Sequence, residues 1–162
     1  LANNLGNLVS RTLAMQDRYF KGLVQPLSTP TPEIDQRLAA AFAHASGEVE
    51  THVGNLALSR ALESIFRATN EANKYITETA PFTLAKDPAQ MPRVGAVLHN
   101  LLEALRVAAQ LLIPFLPETS NKLLTSLNLP KEQWNNYSLT WGQTYPTGHQ
   151  VQKSQALFPR LP

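Results

Sequence analysis

The chain has 162 residues, of which 43% are hydrophobic and 16% are charged, and its formal net charge is +2. This length and composition fit one globular domain, residues 1–162, and exclude a disordered chain. A charge of this size permits a polyanionic partner without indicating one. The lack of cysteine excludes disulfides, thiolate zinc sites and cysteine nucleophiles.

Membrane-spanning and metal-binding functions have no support in the sequence. No apolar run approaches the roughly 20 residues of a membrane-spanning helix, and no signal peptide precedes the first helix. The four histidines lack the spacing of metal ligands, so we expect no metal in this chain. We therefore expect a soluble, cytoplasmic protein. Helical periodicity already runs at Leu1, which is not a methionine, and we expect the N-terminal part of a longer chain to be missing.

The first predicted helix runs from the first residue to about Gly22 and is amphipathic. Its apolar face comprises Leu1, Leu5, Leu8, Val9, Leu13, Tyr19, Phe20 and Leu23. A polar face, about 140° away on a wheel of about 100° per residue, comprises Asn4, Asn7, Arg11 and Arg18. One face thus packs into the core while the other presents amides and guanidinium groups to a partner.

Capping signals predict a second helix that begins at Pro32 or Glu33, with Thr31 as its N-cap, and fades at 52–54. Its apolar residues recur at helical spacing, so it presents one face to the core.

A third helix is predicted between Asn55, a good N-cap, and Pro81, which ends it. Glu63 and Arg67 have the spacing of an i,i+4 ion pair on its outer face. Asn73 is a polar residue within the apolar stripe, so it needs hydrogen-bond partners in the folded protein.

The fourth predicted helix, residues 92–113, is the most apolar segment and is expected at the centre. A shorter helix follows over residues 118–129. Residues 131–162 have a looser pattern, with one short extended piece near 151–158, and Leu157 and Phe158 could dock them on the bundle. The predicted fold is therefore all-α: a bundle of about five helices with an irregular C-terminal tail.

No enzyme motif is present, neither a glycine-rich phosphate loop nor a nucleophile elbow nor a metal-binding signature, so we predict no catalytic residue in this chain. The function that remains is recognition of a partner. Asn7 and Arg11 lie four residues apart on one helix face, and their side chains can hydrogen-bond bases or phosphates. Phe82, where a helix ends, is a candidate stacking platform of the kind that holds unstacked RNA bases.

Four stretches, in order, resemble the anticodon-binding domain of methionyl-tRNA synthetase, a class I aminoacyl-tRNA synthetase. They lie near both ends and in the middle, so the resemblance covers nearly the whole chain. The stretches are LANNLGNLVSR at the start, NKYITETAPFTLAK at 73–86, LLIPFLPETSNKL at 111–123 and LFPRL at 157–161.

The resemblance implies site residues. Asn7 and Arg11 match the family's anticodon-contacting positions on the first helix. Phe82 stands where the family usually has the tryptophan, in a pattern like NxYxxxxxPW, that contacts the wobble cytosine of the CAU anticodon. Phenylalanine keeps a stacking face but lacks the indole N–H. Asn73 matches a structural position, and Asn4 and Arg18 are expected as supporting neighbours.

The resemblance also implies partners and cofactors. In the family this domain follows a Rossmann-type catalytic domain, and the full enzyme joins methionine to its tRNA with ATP. The ATP and methionine sites and a zinc-binding insertion belong to that N-terminal part, so no cofactor is expected in this chain. The expected partners are the tRNA anticodon stem-loop and the catalytic domain. Because the family's tail packs toward that domain, Trp141 or Phe158 is expected to be exposed in this segment alone.

Two alternatives stay open at this stage. The chain could be the equivalent domain of another class I synthetase, for isoleucine, valine, leucine or cysteine. It could also be a helical protein-interaction module without an RNA partner.

Overall fold

A computed structural model describes the backbone of residues 2–153 and the side chains of residues 4–153. Within this range the fold is all-α and has no strand; one isolated antiparallel bridge joins Leu23 to Gln150. The prediction of a bundle of about five helices is confirmed, with a one-turn helix in addition. The helices are α1 (Ala2–Phe20), α2 (Glu33–Gly54), α3 (Leu58–Thr79), α4 (Pro81–Leu84), α5 (Met91–Leu112) and α6 (Pro117–Ser126).

The central helix is α5, as the sequence predicts. Every residue from Val94 to Arg106 is buried, and α5 packs against each of the other helices. Its leucines at 98, 101 and 105 are fully buried. Burial of each such side chain contributes about 1.5–3 kcal/mol, so α5 supplies much of the driving force for folding.

The contacts of α1 fix its direction. Near its start, Asn4 hydrogen-bonds Asn70 of α3. Near its end, the ring of Phe20 lies 3.3 Å from where a Cβ at Gly95 of α5 would be. Because α5 follows α3 and runs back along it, its first turns lie beside the end of α3. Helix α1 therefore runs in the same direction as α3.

A buried carboxylate joins three helices. Asp35 of α2 receives two hydrogen bonds from Arg93 of α5, at 2.8 and 2.9 Å, and one from the Tyr75 hydroxyl of α3, at 2.6 Å. Burial and this hydrogen bond raise the pKa of Tyr75, and the hydrogen bond to Asp35 raises the pKa of Arg93. The tyrosine therefore stays protonated and the arginine stays charged, so both can donate hydrogen bonds to the carboxylate.

Polar side chains of α5 hold the segment that follows α6. Glu103 accepts hydrogen bonds from the Gly142 backbone at 2.6 Å and from the Thr144 hydroxyl at 3.1 Å, and it pairs with buried Arg106. The Gln110 amide donates to three backbone carbonyls within 133–136. Residues 131–145 form a short 3₁₀ helix, Lys131–Gln133, followed by irregular backbone, and these hydrogen bonds hold them in place.

Trp141 belongs to this fixed segment, so its expected exposure is wrong. The ring is half-buried, and its indole N–H donates to the side chain of Asn100 at 2.9 Å. Leu1, Leu157 and Phe158, and most of the predicted extended piece at 151–158, lie outside the described residues.

Both predicted N-caps are wrong. Pro32 occupies the N-cap position of α2, and Thr31 instead accepts a hydrogen bond from Gln36 through its carbonyl. Asn55 caps the end of α2, with its backbone N–H on the Thr51 carbonyl, and α3 starts only at Leu58. Asn55 therefore ends α2 instead of starting α3, and α3 begins three residues later.

The predicted i,i+4 pair between Glu63 and Arg67 does not form in the described structure. Arg67 instead lies 3.5 Å from Glu48 of α2. The close packing of α2 and α3 offers a carboxylate on the neighbouring helix, and an exposed pair within one helix is worth only a few tenths of a kcal/mol.

Replacement of Tyr75 by phenylalanine tests the Asp35 cluster. Because Tyr75→Phe removes a hydrogen bond to a buried charge, we expect the free energy of unfolding to fall by about 1.5–3 kcal/mol. Urea unfolding measures this. Tyr137→Phe is the matched control, because that side chain is exposed, and it should change stability by less than about 0.5 kcal/mol. Equal effects of the two substitutions would contradict this account.

His99 gives a pH dependence. Its Nδ1 lies 2.7 Å from the Gln25 carbonyl, its Nε2 is buried without a partner, and burial lowers its pKa below 6.5. The unfolded chain therefore binds this proton more readily than the folded chain. We expect stability to fall as the pH decreases below about 6.5, by at most about 1.4 kcal/mol per pH unit.

Thermal unfolding between pH 7.5 and 5 measures this loss. His99→Asn, which keeps a donor near the Gln25 carbonyl, should flatten the pH profile. An unaltered slope in His99→Asn would assign the pH dependence to another group.

Candidate functional site

The exposed face of α1 carries two side chains that the fold does not use. Asn7 and Arg11 are exposed, and neither forms a hydrogen bond or ion pair within the described part of the chain. On the opposite face, Leu5 and Leu8 are fully buried. The core thus holds the helix firmly while its polar face stays available to a partner.

Three asparagines fix the start of α1 on α3. The Asn4 side chain donates to the Asn70 side chain at 2.8 Å. Asn73 donates to the backbone carbonyls of Asn4, at 3.3 Å, and Thr69, at 3.4 Å. The prediction that Asn73 needs hydrogen-bond partners is therefore confirmed. Asn4 acts in this contact as a structural residue, one helical turn before Asn7.

Asn70 is a residue that the sequence reasoning missed. Its position three residues before Asn73 placed it on the same side of α3. Only the packing of α1 on this side shows that it meets Asn4, because no local pattern connects residues 66 positions apart.

Phe82 lies on α4, directly after the end of α3. Ala80 has a left-handed conformation, with φ 46°, and turns the chain. Pro81 is buried and anchors the turn, whereas the Phe82 side chain is 51% exposed. The ring is therefore not a core residue, and one face is available for stacking.

The direction of α1 brings these elements to one region of the bundle. From Asn4, beside Asn70, α1 continues past Asn7 and Arg11 toward the end of α3 that carries Phe82. The structure thus provides a polar helix face that leads toward the end of α3 and an exposed ring that follows that end.

Positive charge extends along the same helix. Arg18 is exposed and lies over the ring of Tyr19, 5.8 Å from its centroid. Lys21 is exposed at the end of α1, and Asp17, an acidic residue of α1, lies 3.9 Å from Lys153. A surface of this kind suits a negatively charged partner.

The described residues form neither a metal site nor a membrane span. No group of three or more histidine or acidic side chains between residues 4 and 153 is placed to hold a metal ion. None of the described helices combines the length and the apolar character needed to cross a bilayer.

Solved structures with this fold come from an aminoacyl-tRNA synthetase. Methionyl-tRNA synthetase of Mycobacterium tuberculosis, in complex with methionyl-adenylate, matches 99% of this chain with a TM-score of 0.91 at 30% sequence identity. Its free form matches all of the chain with the same score. This chain covers 31% and 32% of those two chains. The class is thus that of the helical domains of aminoacyl-tRNA synthetases.

Sequence comparison gives the particular family. The methionine–tRNA ligase of Clostridium acetobutylicum is 42% identical over 161 residues, and that of Bacillus subtilis is 38% identical over 164 residues. The sequence model for the anticodon-binding domain of methionyl-tRNA ligase matches residues 26–162. The chain belongs to this family.

The matches cover different parts of the chain and of its relatives. The chain spans about a quarter of the length of these ligases, since each alignment covers 99% of the chain and 24% of the relative. The family match begins after α1, so Asn7 and Arg11 lie outside it, whereas the alignments with the ligases extend over nearly the whole chain.

Proposed function

We propose that this domain recognises the CAU anticodon of methionine tRNA through Asn7, Arg11 and Phe82. The observation that carries the proposal is the unused polar face of α1: the Asn7 and Arg11 side chains are exposed and have no partner among the described residues, on a helix that buries Leu5, Leu8 and Leu13. Side chains that the fold does not need, on a rigid helix, suit recognition of a partner.

The chemistry of the three side chains fits unstacked bases. Residues four apart on a helix have Cβ atoms about 5–6 Å apart, so Asn7 and Arg11 can contact neighbouring groups of one loop. The asparagine amide donates and accepts, and the guanidinium donates in a planar fork. Phe82 supplies a ring on which one base stacks.

Phenylalanine at 82 changes how the wobble position is recognised. Its ring stacks but cannot donate the hydrogen bond that an indole offers. Discrimination of cytosine therefore depends on Asn7 and Arg11 more than in a family member with tryptophan.

The parent enzyme follows from the same proposal. The whole protein is an ATP-dependent methionine–tRNA ligase of the cytoplasm, in which a catalytic domain outside this chain holds ATP, methionine and, in its insertion, zinc. This chain contributes tRNA binding and no catalytic residue. The similarity to methionine–tRNA ligases over nearly the whole chain supports this assignment.

Substitution of Arg11 tests base recognition. Arg11→Ala should weaken binding of a CAU stem-loop by about 1–3 kcal/mol and reduce the preference for CAU over altered anticodons, because a hydrogen-bonding fork is lost. Fluorescence titration at two salt concentrations measures both effects. Arg60→Ala is the matched control, since Arg60 is also exposed, on α3, and has no ion pair in the described structure; it should leave the preference unchanged.

Three outcomes would contradict the proposal. Equal binding by wild type and Arg11→Ala would remove Arg11 from the site. Preference for an anticodon other than CAU would contradict the proposed specificity, and the absence of any salt-dependent tRNA binding would contradict RNA recognition. The family match already excludes the equivalent domain of an isoleucine, valine, leucine or cysteine synthetase.

Substitution of Phe82 tests stacking. Phe82→Ala should lose about 1–3 kcal/mol of stem-loop binding because a stacked base loses its platform, while the half-exposed position keeps the fold intact. Circular dichroism checks the fold in parallel. Phe82→Trp should restore or exceed wild-type binding. An unfolded Phe82→Ala protein would instead show that the ring supports the core.

A further inference from the structure

The α2–α3 connection ends in an exposed apolar tip, which we define as Val53, Leu56 and Leu58. Their side chains are 39%, 85% and 50% exposed. Val53 also lines a groove of about 620 Å³ between α2, α5 and residues 137–141. Val53 thus joins the tip to this groove, which the exposed Tyr137 also lines.

Leu56 has no structural reason to be leucine. Its φ is +57°, in the left-handed region that favours glycine or asparagine, and its side chain makes almost no use of the core. It takes this conformation because the chain closes α2 here, with the Leu56 N–H on the Val53 carbonyl and the Ala57 N–H on the His52 carbonyl. A backbone cost combined with an exposed apolar side chain suggests a residue kept for contact with a partner.

The course of α1 shows which side of the bundle the tip occupies. Helix α1 begins beside Asn70 and runs with α3, away from the tip. From Leu58 to Asn70, α3 therefore extends about 12 residues, roughly 18 Å, beyond the level of Asn4 near the start of α1. A domain that precedes α1 in the chain would lie on this side.

We infer that the apolar tip docks on the catalytic domain of the same polypeptide; this inference rests on the proposed function, which supplies that domain. About three-quarters of the length of the matched ligases lies outside this chain. The charges beside the tip, Glu50 and Glu63 against Arg60, disfavour RNA as the occupant. An apolar surface with a mixed-charge rim is typical of a contact between protein domains.

Thiol labelling of the full-length protein tests this docking. The described chain has no cysteine, so Leu56→Cys introduces a probe at the tip, and Ser59→Cys introduces one beside it while all three apolar residues remain. Leu23→Cys, at the opposite end of α1, is the control. Each labelling rate is divided by the rate for the same site in the urea-unfolded protein, and peptide mapping identifies the labelled residue.

We expect at least one tip cysteine to react at least tenfold more slowly than in the unfolded protein, without tRNA and at every protein concentration. Leu23→Cys should be slowed by less than about threefold, since that position is 42% exposed in the domain itself. Rapid labelling at both positions 56 and 59 would overturn the inference. Protection only with tRNA, or only at high protein concentration, would also overturn it, in favour of RNA or a second copy.

The outcome is independent of anticodon recognition. The labelling needs no tRNA, so rapid labelling leaves the roles proposed for Asn7, Arg11 and Phe82 untouched. Conversely, if the stem-loop experiments showed no anticodon discrimination, protection of the tip without tRNA would still support docking on a protein domain.

Discussion

The buried carboxylate of Asp35 is the constraint on which the bundle depends. A charge in a core is costly unless it is paired and hydrogen-bonded. Arg93 and Tyr75 meet both needs, and they do so only when α2, α3 and α5 have one relative position. Apolar packing alone tolerates small shifts between helices, whereas the hydrogen bonds of this cluster form in only one arrangement of the three helices. Through Tyr75, the cluster therefore also sets the position of the end of α3 and of the exposed Phe82 ring that follows it.

Buried polar side chains of the central helix α5 also fix the segment that follows α6. Asn100, Glu103 and Gln110 of α5 are buried polar residues, and each holds part of the irregular segment after α6. These three side chains are used by the fold, whereas some exposed side chains are not, and the latter are informative about partners. Asn7 and Arg11 on α1 and the apolar tip at Leu56 are such groups, at separate places on the bundle. The first surface suits RNA, and the second suits a protein domain.

Local patterns predicted most of the helices. The apolar period of α1, the prolines around α5 and the stop before Pro130 act within a few residues, so a single sequence contains them. The same patterns misplaced the caps at Thr31 and Asn55 and the partner of Arg67. In each case the outcome depended on where the neighbouring helix or the chain reversal lay, which the local pattern does not contain.

For the site, the sequence by itself determined the residue types and their spacing: Asn7 and Arg11 on one helix face, and a ring after Pro81. Through the family likeness it also predicted that these residues contact an anticodon. Only the tertiary structure decided that this face is free, that Asn4 is held by Asn70 and Asn73, and that Phe82 is half-exposed. The physical reason is that exposure and pairing are set by contacts between residues far apart in the chain, which no local period records.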